Sequence, residues 1–467
     1  MKFYNRKKEI ELLEQFSQKE GFKFIVVNGM RRIGKTRLLT EFLAKKDYAY
    51  IFVPRDKTAS VFLQDIAVDL NIPEFTRISD LLKYLFDTKK YVFFDEFQNF
   101  HYMDKSIYSE FQKLIDEYKM KNKDIFLFVS GSSYSLMKKI FVDYAHPLYG
   151  RSDLQINLEE LEFSTVNIIL EDIGIKKFED QIRFFCVFGG IPKYYESLSW
   201  QKYRDFERCI TDMFFEERTS ILMGEGKTLL ISEFGAEYKI YFSVLEGIAT
   251  GKTRLNEIAS LFENKTNTAS RYLDILRKEY GLVKRETPII ENPAKSRLGV
   301  YAIKNNFLKF WFAFVKRYEQ FYEQGRIEEV KNIFLKNHNS YVGYVFEDIC
   351  KQFLISRQMF KFTKIGRQWG RIPKAPKGAD TYEIDLVALD DDKSNIWFFE
   401  CKWMDLNLNQ SLNILEKLKE KSKSVNWRLD NRIEKFGLIG RKIKDKDKLL
   451  ADGYLVFDLD DFKERFK

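Results

Sequence analysis

Gly29-Met30-Arg31-Arg32-Ile33-Gly34-Lys35-Thr36 is the stretch whose reading decides the fold. It satisfies the spacing G-x-x-x-x-G-K-[ST] at every position. Ahead of it, Phe24-Ile25-Val26-Val27 is a continuous apolar run, the pattern of a buried parallel strand. Behind it, Leu38, Leu39, Phe42 and Leu43 fall at helical spacing. Strand, glycine-bearing loop and helix in that order build a phosphate cradle. Gly29 and Gly34 let backbone N–H groups converge on phosphate oxygens, and the helix N-terminus adds partial positive charge. The whole segment Gly29, Met30, Arg31, Arg32, Ile33, Gly34, Lys35 and Thr36 is expected to bind nucleotide. Lys35 is expected on the β- and γ-phosphates and the Thr36 hydroxyl on Mg²⁺, so ATP and Mg²⁺ are the expected cofactors.

Tyr91-Val92-Phe93-Phe94 forms a second buried strand with Asp95 and Glu96 at its C-terminal end, the end that lines the crevice of an open α/β sheet. Asp95 is expected to hold Mg²⁺, and Glu96 to act as general base on the attacking water. A third strand, Ile125–Val129, runs into Ser130, whose hydroxyl is a candidate γ-phosphate sensor, with a plain turn as the alternative. Arg151, after Pro147-Leu148-Tyr149-Gly150, is a candidate arginine finger, with a structural ion pair as the equal alternative. Gly189-Gly190-Ile191-Pro192 marks a turn that opens a helical lid, in which Tyr194 and Tyr195 pack.

These features together resemble the archaeal ATPase family, a branch of the AAA+-like, STAND-type P-loop ATPases. The resemblance rests on Phe3-x-Asn5-Arg6-x-x-Glu9, the paired arginines in the loop, Phe94-Asp95-Glu96-Phe97-Gln98, Leu148–Arg151 and Gly189–Pro192. It implies that the Phe3–Arg6 segment lies by the adenine and that Arg151 belongs to the family's arginine motif. It implies no particular substrate.

Beyond the lid, helical stripes at Tyr241–Ile248, Leu255–Phe262 and Ala269–Leu276 precede two short strands, Leu282-Val283 and Val300–Ile303. Three helices and a hairpin predict a winged helix-turn-helix. Asn267, Ser270, Arg271, Arg277 and Lys278 on the third helix, with Lys284, Arg285, Lys295 and Arg297 on the wing, are candidate phosphate contacts. Internal packing of the wing is the alternative. Phe307–Phe314 is an aromatic helix expected in an interdomain core, with base stacking as a minor alternative. The charged stretch Gly325–Lys331 is expected to be a boundary.

In the last part a helical stripe from Val342 to Leu354 carries Glu347, and Tyr382–Leu389 and Ile396–Trp403 form a hairpin across Asp390–Ser394. Period two puts Glu400 and Lys402 on one strand face, and Asp385 can meet them across the hairpin. Asp385, Glu400 and Glu347 are candidate metal ligands, with Lys402 positioning or activating water. A surface ion-pair cluster is the alternative. The arrangement resembles the PD-(D/E)xK nuclease superfamily. With Trp369-Gly370-Arg371 and Glu400-Cys401-Lys402-Trp403 it is similar to the uncharacterised C-terminal domain fused to archaeal ATPases.

The expected fold class is therefore α/β. A P-loop NTPase parallel-sheet core (1–160) is followed by a helical lid (161–235), a winged helix-turn-helix (236–320) and a restriction-endonuclease-like domain (335–467). Lys35, Glu96, Arg151 and Lys402 are the candidate catalytic residues; Thr36, Asp95, Glu347, Asp385 and Glu400 are the candidate metal ligands. A chain of 467 residues with 45% hydrophobic and 31% charged content is folded rather than disordered. It has no apolar run of membrane-spanning length and no signal core, so the expectation is a cytoplasmic protein without a membrane partner. Cys186, Cys209, Cys350 and Cys401 are scattered, which favours reduced, packed thiols. The net charge of +9 permits DNA or RNA as partners without requiring either, and leaves room for a homo-oligomer. The expected function is a Mg²⁺-dependent ATPase gating a nucleic-acid-processing site. The alternative is a nucleotide-driven switch whose winged-helix and inactive nuclease-like parts bind DNA or a protein partner.

Overall fold

β1 (Lys23–Asn28), β2 (Tyr48–Phe52), β3 (Tyr91–Asp95), β4 (Phe126–Gly131) and β5 (Leu154–Asn157) form one wholly parallel sheet in the order β2-β3-β4-β1-β5. The apolar runs of β1, β3 and β4 are buried along almost their whole length, as parallel strands covered by helices require, whereas the edge strands β2 and β5 alternate between buried and exposed residues. The computed structural model describes residues 2–201, 204–216, 220–376, 378 and 380–465. Because β4 lies between β1 and β3, the residues at its C-terminal end stand between the phosphate loop and Asp95. Phe94, Phe97, Phe100 and Phe111 meet mostly edge to face in the core behind β3, the ring geometry that aromatic quadrupoles favour.

The chain divides into two compact units rather than four. The first holds residues 1–161 with 191–199 and 231–235; the second holds 162–190, 200–230 and 236–467. In the first unit, Tyr194 and Tyr195 are fully buried, as packing residues should be.

The second unit contains the helices Tyr238–Ala249, Leu255–Ala259 and Thr266–Lys278, followed by the antiparallel pair β6 (Val283–Glu286) and β7 (Val300–Ile303). The aromatic stretch expected as a helix runs as Asn306–Phe310 and then a π-helical turn, Trp311–Val315. Phe307, Phe310, Trp311 and Phe314 are all buried, so this stretch is core and offers no face for stacking bases. The stretch Gly325–Lys331, expected as a boundary, lies within the second unit, and from Ile327 its charged residues begin a continuous helix of 31 residues, Ile327–Arg357. Its first turn carries Glu328 and Glu329, which suit a helix N-terminus.

A mixed sheet follows, ordered β12-β11-β10-β9-β8, from β8 (Lys364–Arg371), β9 (Thr381–Asp390), β10 (Asn395–Leu406), β11 (Ile433–Ile443) and β12 (Leu455–Phe457). β8, β9 and β10 are antiparallel; β10, β11 and β12 are parallel. Alternation on β10 sets its two faces. Cys401 and Trp403 meet Cys350 and Phe346 of the long helix, while Glu400 meets Lys421 of the helix Leu408–Ser422. The loop after β6 is built into this sheet: Ile289 N–H donates to Arg367 O at 3.0 Å, and Ile289 and Ile290 pack against its core. The hairpin is thus continuous with the C-terminal sheet, which the separate ranges 236–320 and 335–467 did not foresee.

Candidate functional site

The loop Gly29–Thr36 takes the conformation its glycines permit. A Cβ on Gly29 would stand 2.7 Å from Leu158 O, and Gly34 has φ 97°, a left-handed value that costs a side-chain-bearing residue about 1 kcal/mol. Lys35 is buried, and its Nζ donates to Gly29 O at 2.9 Å and Met30 O at 3.1 Å. Burial lowers the pKa of this ammonium, and Glu96, Asp95 and Glu233 oppose the shift. A cavity of about 570 Å³ opens over Arg31, Gly34, Lys35, Thr36, Glu96 and Pro192. Arg6 lies beside the loop, donating to Glu159 O at 2.6 Å and Ile33 O at 3.5 Å.

Asp95 is the hub of the site. Thr36 Oγ1 donates to Asp95 Oδ2 at 2.7 Å, Tyr50 OH to the same oxygen at 3.2 Å, and Ser130 Oγ to Oδ1. The Tyr50 phenol is raised well above its ordinary pKa by burial and by Asp95. Thr36 and Asp95 therefore offer a hydroxyl and a carboxylate side by side, oxygen donors that suit Mg²⁺ completed by phosphate and water. Glu96 sits at φ 56°, an uncommon backbone for its type. Gln98 Nε2 at 2.5 Å and Ser132 Oγ at 2.6 Å both donate to its Oε2, which aims the carboxylate. Tyr50 carried no signal in the sequence, and strand order brings it in; Gln98 was read only as part of the strand-end motif, and Ser132 follows the strand that ends at Ser130.

Arg151 is elsewhere in its chemistry. Its Nε and Nη2 hold Asp116 at 3.1 and 3.0 Å, Nη1 donates to Pro147 O at 2.8 Å, and it does not line the phosphate-loop cavity. The ion-pair alternative describes it, because a guanidinium fixed bidentately to a carboxylate has few donors left for phosphate.

In the second unit, the β9–β10 ladder ends at the Leu386–Phe399 pair, and Asp385 and Glu400 are the next residues, where the strands part. Lys402 Nζ bridges them, at 3.0 Å from Asp385 Oδ2 and 2.6 Å from Glu400 Oε2. Cys401 N–H donates to Asp385 Oδ2 at 2.8 Å, and Lys421 pairs with the other oxygen of Glu400 at 2.5 Å. Burial, then Asp385, raises the Glu400 carboxyl. Burial pulls the Lys402 ammonium down, but Asp385 and Glu400 outweigh it and hold its pKa above the ordinary value. Glu347 is pushed up to about 8, first by burial and then by the charge of Asp385, and it faces Arg367 Nε at 3.5 Å.

Asp385, Glu400 and Lys402 thus meet as the spacing predicts, but Glu347 does not complete a three-carboxylate ligand set. Among the described residues no three His, Cys, Asp or Glu side chains are grouped to hold a metal ion. Lys402 stands between the two carboxylates and Arg367 against the third, so ammonium and guanidinium supply the positive charge there. Arg367 also pairs with Glu286 and Glu383, and Lys284 with Glu286 and Asp348. Beside this network a cavity of about 1100 Å³ is lined by Arg254, Trp369, Arg371, Tyr382 and Lys421.

Several candidate nucleic-acid contacts have partners within the protein, some of them at its surface. Arg277 and Lys278 pair with Asp274, Lys284 with Glu286 and Asp348, and Arg285 donates to Pro293 O and Ser296 O. Arg271, Lys295 and Arg297 are exposed. The cysteines are free and buried, and among the described residues no helix is long and apolar enough to cross a membrane.

Residues 3–198 match the family described as an ATPase domain predominantly from Archaea, and residues 311–414 match one described as archaeal and bacterial proteins of unknown function. An uncharacterized protein of Methanocaldococcus jannaschii is 32% identical over 98% of this chain and all of that protein. A Walker-type ATPase of Pyrococcus abyssi superposes on 66% of this chain and 96% of its own, with a TM-score of 0.50 at 17% identity, a likeness of fold.

Proposed function

Since the chain belongs to the archaeal ATPase family, we propose that its ATP hydrolysis is Mg²⁺-dependent and gates a nucleic-acid-processing site in the second unit. The observation that carries the first half is the Thr36–Asp95–Ser130 cluster beside Lys35 at the end of the phosphate loop. The loop N–H groups and Lys35 hold the phosphates. Thr36 and Asp95 would hold Mg²⁺, which would supply positive charge to the transferring phosphoryl group. Glu96, aimed by Gln98 and Ser132, orients the attacking water and takes its proton, while Ser130 fixes Asp95. Arg151 is left out of this catalytic set, since Asp116 holds it.

The second half rests on Asp385, Glu400 and Lys402 meeting where the strands part, beside a cavity that carries Trp369, Arg371 and Lys421. The mixed sheet with an antiparallel hairpin leading into parallel strands supports the nuclease-like reading, and the three helices with β6–β7 support a winged helix. Lys402 must give up one carboxylate before a cation binds there. That same pairing favours a second reading, a nucleotide switch that binds a nucleic acid or protein without cutting.

Incubating the full-length protein with single- and double-stranded DNA and RNA, with Mg²⁺ or Mn²⁺ and with or without ATP, separates the readings. The nuclease reading expects metal-dependent cleavage that Asp385→Asn abolishes while ATP turnover persists. No cleavage of any substrate under any of these conditions leaves the switch.

A further inference from the structure

The cavity of about 1100 Å³ in the second unit is walled by several elements, and its inner end, at Lys421, touches the carboxylate cluster. β8 and β9 supply Trp369, Arg371 and Tyr382, the end of the helix Leu408–Ser422 supplies Lys421, and Leu298 and Tyr301 come from β7 and the loop before it. That loop is pinned to β8: Trp369 Nε1 donates to Leu298 O at 3.2 Å, and Ile290 N–H to Gln368 Oε1 at 3.4 Å. Lys421 lines the cavity and pairs with Glu400 at 2.5 Å, so it joins the two. A second cavity, of about 630 Å³, shares Arg254, Leu298, Tyr301 and Trp369 with the first and adds Arg297. The two cavities therefore meet at Trp369.

Charge and ring chemistry decide what fits there. Of the acidic residues lining the larger cavity, Glu286 and Glu383 are committed to Arg367, and Glu420 to Lys423 at 2.6 Å. Asp380 accepts from Gly378 N–H at 3.2 Å. Arg254, Arg297 and Arg371 are exposed and pair with no carboxylate among the described residues, so their guanidinium groups are available to phosphate. Trp369 is half-buried, and among the described residues no other ring stacks on its indole. An aromatic face flanked by guanidinium groups is the combination that holds single-stranded nucleic acid. A base can lie on such a face only when it is out of a duplex stack. The volume agrees: about 1100 Å³ lies just above the range of small-ligand pockets, ~300–1000 Å³, which gives room for a few unpaired nucleotides and not for a length of duplex.

We propose that the second unit binds an unpaired nucleic-acid strand through these joined cavities, with a base stacked on Trp369 and phosphates on Arg254, Arg297 and Arg371. Trp369 is the residue that selects single strands over duplex, and the strand reaches the Asp385–Glu400–Lys402 site past Lys421. The proposal rests on the reading of that site as one for nucleic acid. DNA and RNA strands share the chemistry it needs, a π face and a phosphate.

The test uses the full-length protein with a short single-stranded DNA oligonucleotide of mixed sequence, its RNA counterpart and the blunt DNA duplex, each carrying a fluorophore. Anisotropy is measured on wild type in EDTA, where no divalent cation supports cleavage. Because nucleotide state is read as gating the site, it is measured again in the Asp385→Asn background with Mg²⁺ and ATP. In whichever condition binds tighter, Trp369→Ala weakens the single strand about fivefold or more and leaves the duplex within about twofold, while Trp369→Phe keeps most of the affinity. Arg371→Ala lowers the slope of log affinity against log salt by about 0.7. Tryptophan fluorescence falls when the strand binds wild type, and that quench is lost in Trp369→Phe. A merely structural Trp369 would not give this signal, and it can be read even if Trp369→Ala folds poorly. Tight binding of either strand, DNA or RNA, meets the prediction and names the source. Single-strand affinity and quench that the Trp369 variants leave unchanged overturn the proposal, as does no binding of either strand in both conditions. Strand binding at Trp369 without cleavage of any substrate supports the proposal and removes the nuclease half of the reading; duplex cleavage that Trp369→Ala leaves intact does the reverse.

Discussion

Single residues around the phosphate loop carry separable tasks. Lys35 is buried with its ammonium on loop carbonyls, so it is poised to exchange those carbonyls for phosphate. Lys35→Ala should weaken ATP binding at least about tenfold, as the loss of one charged partner implies. Glu96→Gln should bind ATP nearly as wild type does and slow turnover by about 10²–10⁴, the range of general-base contributions. Fluorescent-nucleotide titration and phosphate release, measured on both variants, check these assignments; a Glu96→Gln protein that turns over normally removes Glu96 from its role. Arg151 belongs to a different class. Its pair with Asp116 is partly exposed, so Arg151→Ala should cost about 1 kcal/mol of stability and leave the turnover number within about twofold. The motif made Lys35, Thr36, Asp95 and Glu96 legible in the sequence, because their spacing is local to a strand end and a loop. Tyr50 joins that chemistry through strand order, which no local spacing encodes, and Ser130, read from its strand end as a candidate γ-phosphate sensor, donates to Asp95.

At the level of elements, the β9–β10 hairpin was readable from its alternation and its Asp390–Ser394 turn, down to Asp385 facing Glu400. What alternation could not supply is the parting of the strands after Leu386–Phe399, or the arrival of Lys421 and Arg367 from other elements. Those two cations join Lys402 in an ion-pair network around the expected metal ligands. Glu347 inside it gives a pH signature. Its folded pKa, about 8, lies above that of an unfolded glutamate, so between those values the folded protein binds more protons. Its contribution to stability is therefore fully present below the unfolded pKa and falls as pH rises toward 8. Glu347→Gln should flatten that fall, by an amount on the order of 2 kcal/mol between acid and alkaline ends. Denaturant melts of both proteins across that range measure it; parallel curves would mean that Glu347 is not held protonated. The hairpin β6–β7 gives the complementary lesson. Its lysines and arginines suggested DNA contacts, yet Lys284 and Arg285 are engaged by Asp348, Glu286 and loop carbonyls, and the loop between β6 and β7 is part of the C-terminal sheet's packing.

The whole molecule is two units where composition and punctuation suggested four segments. Charge in Gly325–Lys331 suggested a boundary, but most of it lies at the start of one long helix whose stripe from Val342 to Leu354 packs the C-terminal sheet. Ile289 and Ile290, far upstream in sequence, complete that same core. Long-range packing of this kind leaves no mark on local composition, which is why the boundaries were the least legible feature. The functional claim at this scale is that nucleotide state in the first unit controls the Asp385–Glu400–Lys402 site in the second. Its most direct measurement is metal-dependent cleavage of one nucleic-acid substrate by Glu96→Gln and by Lys35→Ala, at an ATP concentration that saturates the first and leaves the second mostly unliganded. Gating predicts rates that differ by at least about tenfold between the two, a coupling free energy of about 1.4 kcal/mol or more, with no cleavage once Asp385→Asn is added to either. Equal cleavage by Glu96→Gln and Lys35→Ala would contradict it.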